Sequence, residues 1–401
     1  MWLYVAYRNL FRNVRRTVAI LLTVGMGAGA LFSFAGFIEG ILNEYRESVI
    51  HSHYGYGQIH TKGYRDTVFE DPTKHWIQDW GYLSLFLMNQ KEVKEAFPRI
   101  TFSALLNKGN VTLSGHGEGI VGEKEAEFFT SLNIEEGEPL RNQSGGILLG
   151  KGLADALKVH PGDSLTVMAT SAKAKLNHQK FIVTGIFHTG NAQFDKSMFR
   201  IQLKDAQNLL NTSHIETVSL ALHRLSDWDE AATAIQKRFP HLEATAFDEL
   251  DKIYYKHSID WLNAQFGIVL IIILGIVLLG IFNTVSAAIL ERKQEIGNLR
   301  ANGESAARVM RLIAAEGALL SFFGSVFGIA LTYIFLTAFI HHGLMMPPGP
   351  GQTRQFLVTF AFTWPIIWKT IAYSALAAIV ASLLAGIKVV RMPIAKALNS
   401  L

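Results

Sequence analysis

The sequence predicts an α-helical membrane protein with four transmembrane helices and a large mixed α/β extracytoplasmic domain between helices 1 and 2. Three observations carry this expectation. Four apolar blocks, at 17–38, 266–290, 317–340 and 370–387, each have about the 18–25 residues that a helix needs to cross roughly 30 Å of hydrocarbon. The stretch between the first two blocks is of ordinary polar composition, so the 49% hydrophobic content of the 401 residues is concentrated rather than spread. Lys and Arg are distributed unequally among the flanks of the blocks, which orients them.

In chain order, residues 1–16 read as an amphipathic cytoplasmic helix. Trp2, Val5, Leu10 and Val14 alternate there with Arg8, Arg12, Arg15 and Arg16, a pattern suited to the membrane interface. Residues 17–42 form the first span. Its apolar run is longer than a secretory core, and the exit Phe37-Ile38-Glu39-Gly40 shows no small-x-small cleavage pattern, so it reads as a retained span. Gly25 and Gly29 lie four apart in it, as do Gly324 and Gly328 in the third span. Small residues at this spacing let helix backbones approach in lipid, so these four are expected at helix-packing positions, within one bundle or between two copies.

Residues 43–265 read as the α/β domain. Strands are expected at 146–150, 164–168, 180–187 and 217–222, and short helices at 151–159, 204–210 and 227–238. His160-Pro161-Gly162-Asp163 reads as a turn. Residues 248–265 look helical and are expected to run as a stalk into the second span.

The second span is 266–290, followed by a charged, helix-patterned loop at 291–316 and the third span at 317–340. A loop at 341–369 with a Pro/Gly-rich stretch, the fourth span at 370–388 and a tail at 389–401 complete the chain. Arg292, Lys293, Arg300, Arg308 and Arg311 lie between spans 2 and 3, and Lys388, Arg391 and Lys396 follow span 4. The 341–369 loop carries only Arg354 and Lys369. By the positive-inside rule the termini and the 291–316 loop are cytoplasmic, and the large domain lies outside the cytoplasm. The net charge of +4 is accounted for by these flanks and gives no case for nucleic acid.

Several chemistries find no support. With no cysteine there is no disulfide framework and no thiolate nucleophile or metal ligand. Gly117-Glu118-Gly119-Ile120-Val121-Gly122 matches the dinucleotide string without its βαβ setting, and the glycines read as a turn. No Gly-x-x-x-x-Gly-Lys-[Ser/Thr] string occurs, so any ATP-driven step needs a nucleotide site on another polypeptide. His51, His53 and His60 read as the start of a strand near the interface rather than as metal ligands. No catalytic arrangement stands out. No Asp, Glu, Lys or Arg lies in the core of a span, which argues against an ion-coupled carrier. Asn283 and Thr284 are the most polar core residues and are expected to hydrogen-bond between helices.

The loop string Glu291-Arg-Lys-x-Glu295-Ile-Gly297-x-Leu299-Arg300-Ala301-x-Gly303, ending at Glu316-Gly317, resembles the permease signature of the FtsX/MacB/LolC–LolE class of ABC transporters. Arg8-Asn9-Leu10-x-Arg12 and Arg391-Met-Pro-Ile-Ala-Lys-Ala-Leu398 match at the two ends. Leu149-Gly150-Lys151-Gly152-Leu153-Ala154, Val159-x-Pro-Gly162-Asp163 and Val183-x-Gly185-Ile-Phe-x-Thr-Gly190-x-x-x-x-Asp195 resemble its periplasmic core domain, with the last segment leaning to the lipoprotein-releasing branch.

The resemblance implies a multi-pass protein of the bacterial inner membrane. It implies a non-catalytic permease whose coupling helix docks on a separate ATPase subunit, mapping onto Glu291, Glu295, Gly297, Arg300 and Gly303. ATP and Mg are then bound by that subunit and no cofactor by this chain. The expected partners are the ATPase, a second permease copy or paralogue in a dimer, membrane lipid, and a lipoprotein cargo or periplasmic adaptor. The implied function is extraction or export of a lipoprotein or other amphiphile. The alternatives are an FtsX-like transducer activating an extracytoplasmic hydrolase, or drug or peptide efflux with an adaptor.

Overall fold

The computed structural model describes residues 14–68, 70–141, 144–250, 252, 257–347, 355–391 and 393. The motif at 8–12, most of the expected helix at 1–16 and of the tail at 389–401, and most of the Pro/Gly-rich loop lie outside them. So does the middle of the expected stalk, of which the part from His257 onward is continuous with the second span. The chain divides into a membrane unit and a large α/β domain lying between the first and second spans.

Four helices of the membrane unit are long and apolar enough to cross a bilayer: Val14–Val49, His257–Glu291, Ala306–Phe339 and Trp364–Val390. Each exceeds the span expected from its apolar block. The third begins at Ala306 rather than at 317. Arg308 and Arg311 interrupt the apolar run but not the helical period, and the Ser305 side chain caps the new start by accepting from the Arg308 N–H. The third and fourth helices pack through small residues: Ser321, Ser325, Ser374, Ser382 and Ala381 are all fully buried. A Cβ on Gly317 would sit 2.2 Å from Ser382 Oγ, so the backbones meet where side chains are smallest. Thr284 donates to Gly280 O in its own helix and lies 3.5 Å from Thr23 Oγ1 of the first span. Asn283 is exposed on the surface of this single chain.

The large domain holds ten strands in one mixed sheet system: β1 Gly57–Thr61, β2 Val93–Lys108, β3 Val111–Ile120, β4 Asn133–Gly137 and β5 Gly146–Gly150, then β6 Ser164–Thr170, β7 Leu176–His188, β8 Met198–Gln202, β9 Thr217–Leu222 and β10 Leu242–Ala246. Along the pairings β2–β3–β8–β5–β7–β6–β2 the sheet closes on itself. The interior of that ring is apolar, with Leu106, Ile147, Val167, Phe181, Phe199 and Ile201 all fully buried. In β6 the alternation that builds this face is explicit: Leu165, Val167 and Ala169 point inward between more exposed neighbours.

β10, β1, β9 and the first part of β2 form an open antiparallel lobe covered by the helix Trp228–Arg238, with Ile59, Val218, Leu220 and Ile235 in its core. The 16-residue β2 belongs to both lobes: residues 93–99 pair with β9 and residues 100–108 with β3. A two-residue Gly109-Asn110 turn, with Gly109 at φ +60°, joins β2 to β3, as a tight hairpin requires.

The glycines at 117 and 119 do not shape a turn, as the sequence suggested. They lie inside β3, on the face where a Cβ at Gly117 would come within 2.5 Å of both the Phe102 and Phe199 rings. The missing side chain of Gly117 makes room for these two rings and that of Gly119 for Ala206 and Ile100, and Glu118 between them points to the opposite face.

Candidate functional site

The segment between the second and third spans is built as a braced corner. The second span helix ends at Glu291, and a short helix, Lys293–Ala301, follows after Arg292. Arg292 ties three pieces together. Its Nε is 3.0 Å from Glu295 Oε2 in the short helix, and its Nη1 is 2.6 Å from Glu316 Oε2 in the third span helix.

The far end of the short helix closes in a Schellman turn. The Gly303 N–H donates to Arg300 O at 3.1 Å and the Glu304 N–H to Leu299 O at 3.1 Å, with Gly303 at φ +89°. A residue with a Cβ would be strained at that φ, which explains the glycine. Ile296 is buried with Val309, Ile313 and Val390, and the Arg300 guanidinium donates to the Val390 carbonyl.

The five residues assigned to coupling by resemblance therefore divide. Gly297 is buried and Arg300 is half-buried against the fourth helix, while Glu295 is half-buried on Arg292. Glu291 and Gly303 are exposed, beside Asn298 and Leu299. The inner face is fixed to the bundle and the outer face is free, with an apolar side chain in it.

The four packing glycines come together within one chain. A Cβ on Gly328 would lie 2.1 Å from Gly25 O and one on Gly324 3.0 Å from Val24 Cβ. One on Gly29 would lie 2.4 Å from Thr332 Oγ1. They mark the crossing of the first and third spans.

The large-domain motifs meet too. Thr189 donates through its N–H and Oγ1 to Asp195 Oδ1, at 2.9 and 2.7 Å, closing the Gly190–Asp195 loop. A Cβ on Gly150 would lie 2.4 Å from Asp195 O, so the two motifs need each other's backbone. Asp163 accepts from the His160 N–H at the Pro-Gly turn, where Gly162 has φ +93°.

One cluster escaped the sequence reading. At the junction where β2 passes from one lobe to the other, Arg99, Glu118, Glu125 and Arg200 are all almost fully buried. Arg99 holds Glu125 through two bonds, Nε to Oε1 at 2.7 Å and Nη2 to Oε2 at 2.8 Å, and reaches Glu118 Oε1 at 3.1 Å. Burial alone would raise the Glu118 carboxyl, but Arg99 and Arg200 outweigh it and hold it at about 2. A signal existed: a lone charge inside an apolar strand, as in Phe199-Arg200-Ile201, demands a buried partner. The partners lie far away in sequence, Glu118 in β3 and Glu125 in the short helix Gly122–Phe128, which no local pattern reveals.

The three histidines separate. His51 and His53 sit in a short π-helix, Ile50–Tyr54, rather than at a strand start. The His51 Nδ1 is 2.8 Å from Phe128 O, His53 Nδ1 is 3.6 Å from Glu118 Oε1, and His60 Nε2 is 2.9 Å from Thr245 Oγ1.

Four apolar helices, an α/β domain inserted after the first and a braced corner between the second and third define a multi-pass permease architecture. Residues 17–238 match the MacB-like periplasmic core domain family and residues 267–394 the FtsX-like permease C-terminal family. The first match covers more than half of the chain, so the chain belongs to the MacB-like periplasmic core domain family and is an ABC transporter permease of the LolC/LolE/MacB type.

Among its relatives is the lipoprotein-releasing system transmembrane protein LolC of Xylella fastidiosa (strain Temecula1), 25% identical over 78% of this chain and 75% of that one. The LolC of Neisseria meningitidis serogroup B is 27% identical over 63% of each chain, less than two thirds of its length. The crystal structure of the periplasmic region of MacB from Actinobacillus actinomycetemcomitans aligns with 49% of this chain and 90% of its own, at TM-score 0.37 and 14% identity. The family assignment rests on the sequence matches.

Proposed function

We propose that this chain is the permease subunit of an inner-membrane ABC transporter that releases a lipoprotein or similar amphiphile. A separate ATPase, carrying ATP and Mg, docks on the short helix Lys293–Ala301 from the cytoplasm, and a second permease copy or paralogue completes the complex. The large domain then works on the periplasmic side. The lipoprotein cargo is taken from the names of the relatives.

The observation that supports docking is the division of the corner. Arg292, Ile296 and Arg300 lock its inner face to the span helices, and Leu299 is left 37% exposed on its outer face. A part gripped from outside needs a stiff back and a free front. A push on this helix reaches the third span directly through Arg292 and Glu316, without slack from a flexible loop.

The test is reconstitution with the cognate ATPase in nanodiscs. Leu299→Asp is expected to cut permease-dependent ATPase stimulation about tenfold or more, equivalent to ~1.4 kcal/mol of lost coupling, with thermal stability of the permease unchanged, and Glu295→Lys to cut it as much while also lowering thermal stability through loss of the Arg292 pair. Undiminished stimulation in both variants would refute docking at this helix.

A further inference from the structure

Two buried arginines stand side by side in the large domain, and the protein serves them differently. Arg99 uses its whole fork: Glu125 takes Nε and Nη2, and Glu118 and the His53 carbonyl take Nη1. Arg200, 1% exposed, is left without an aligned bond at Nε or Nη2. Its Nε lies 2.8 Å from Glu118 Oε2, close enough for an ion pair but out of line for a hydrogen bond. Its Nη1 is 3.7 Å from Glu125 Oε2. A buried guanidinium with unused donors is unfavourable, and an acceptor brought to it from outside removes that cost.

Arg200 also lines a half-open cavity of about 260 Å³, with Glu125 beside it. The rest of the wall is mostly apolar, from Phe129, Leu132, Ile134 and Leu140 among others. This is somewhat below the roughly 300–1,000 Å³ of pockets that enclose a whole ligand. It suits one segment of a chain. The charge balance selects the head of that segment. Two arginines face two glutamates, so a further full anion would meet Glu125 uncompensated, whereas a neutral carbonyl oxygen accepts from Arg200 and leaves the balance intact.

We infer that this cavity binds the carbonyl end of an acyl chain, as an ester or amide, with Arg200 donating to the carbonyl oxygen and the apolar wall covering the adjoining methylenes. This deepens the amphiphile-release function proposed above and rests on it for the source of the chain. An acylated protein and a membrane phospholipid present the same group.

The test uses the full-length chain in nanodiscs, without ATPase. Two photoreactive probes carry a diazirine near the carbonyl of an acyl chain: a synthetic diacylglyceryl-cysteine peptide and a phosphatidylcholine. Mass-spectrometric mapping is expected to place adducts within residues 120–148. Arg200→Met is expected to reduce them at least fivefold. Because that variant strips Glu118 of a partner, Ala126→Trp serves as the second. Ala126 lines the cavity but is exposed, so a larger side chain blocks the space while leaving the buried charges in place, and it is expected to give the same loss.

Methyl octanoate is expected to compete for labelling at least tenfold better than octanoate. Adducts from the peptide probe identify acylated protein as the source, and adducts from phosphatidylcholine alone identify membrane lipid; both uphold the carbonyl site. Absence of adducts in 120–148, labelling that Ala126→Trp leaves unchanged, or equal competition by octanoate would each overturn it. Since no ATPase is present, those failures leave the docking experiment above to judge the transport function separately.

Discussion

The span serines and Arg99 of the large domain show two different ways of burying a polar side chain. Between the third and fourth spans, Ser321, Ser325, Ser374 and Ser382 are fully buried and their hydroxyls have no partner. At the lobe junction of the large domain, Arg99 is equally buried and every nitrogen of its fork is engaged. The difference follows from what each group is for. A helix satisfies its own backbone, so a serine in a span serves by its size, which lets the backbones approach. A guanidinium inside a sheet carries a charge that must be met, and at Arg99 two carboxylates meet it with good geometry.

Substitutions can break or sharpen this contrast. The largest effect is expected at Arg99→Met, which leaves Glu125 and part of Glu118 buried without a partner. Unfolding of the full chain in detergent, followed by tryptophan fluorescence, should show a loss of about 3–5 kcal/mol in the large domain. A loss below 1 kcal/mol would mean that the junction does not depend on this pair.

Next is acid sensitivity. The folded Glu118 carboxyl sits at about 2, below its ordinary 4.5, so its contribution is complete above pH 4.5 and is lost as pH falls toward 2. Glu118→Gln should remove that slope, worth on the order of 3 kcal/mol across the window. The same slope in the variant would assign the acid loss to other groups.

In the membrane unit, Gly328→Ala places a Cβ 2.1 Å from Gly25 O and should cost about 1–3 kcal/mol in SDS-driven unfolding, by overpacking alone. A neutral result would show that the first and third spans can part without loss. Smallest is Ser382→Ala, expected within about 0.5 kcal/mol in the same assay because no hydrogen bond is lost. A cost above 1.5 kcal/mol would show that the hydroxyl is partnered after all and would blur the contrast.

What was legible in the sequence follows the same divide. Four apolar blocks announced four spans, because hydrocarbon tolerates nothing else over that length. Strands at 146–150 and 217–222 were readable from short β-branched and leucine runs, and both appear with those bounds. Helix ends were not readable from apolarity. The third helix starts eleven residues early because the lipid sets the apolar run, whereas Ser305 and the spacing of Val309, Leu312 and Ile313 set the helix. Gly117 and Gly119 misled because glycine marks both turns and places where a side chain will not fit, and only the positions of Phe102 and Phe199 at the first and of Ala206 and Ile100 at the second decide which. The charge cluster was hidden for a related reason. Residues 99, 118 and 200 are joined by strand order, with Glu125 brought in by the helix Gly122–Phe128 that follows β3, and strand order was not in the local pattern.

Strand β2 has a mechanical meaning. Its 16 residues serve as a beam common to the closed ring and the open lobe, at about 3.3 Å of length per residue. No linker separates the lobes, so the domain has no internal hinge along this line. Bending one lobe against the other means stripping the backbone ladder on both flanks of the beam and pulling apart the ion pairs at its midpoint. A torque applied to one lobe would therefore be carried to the other along this strand.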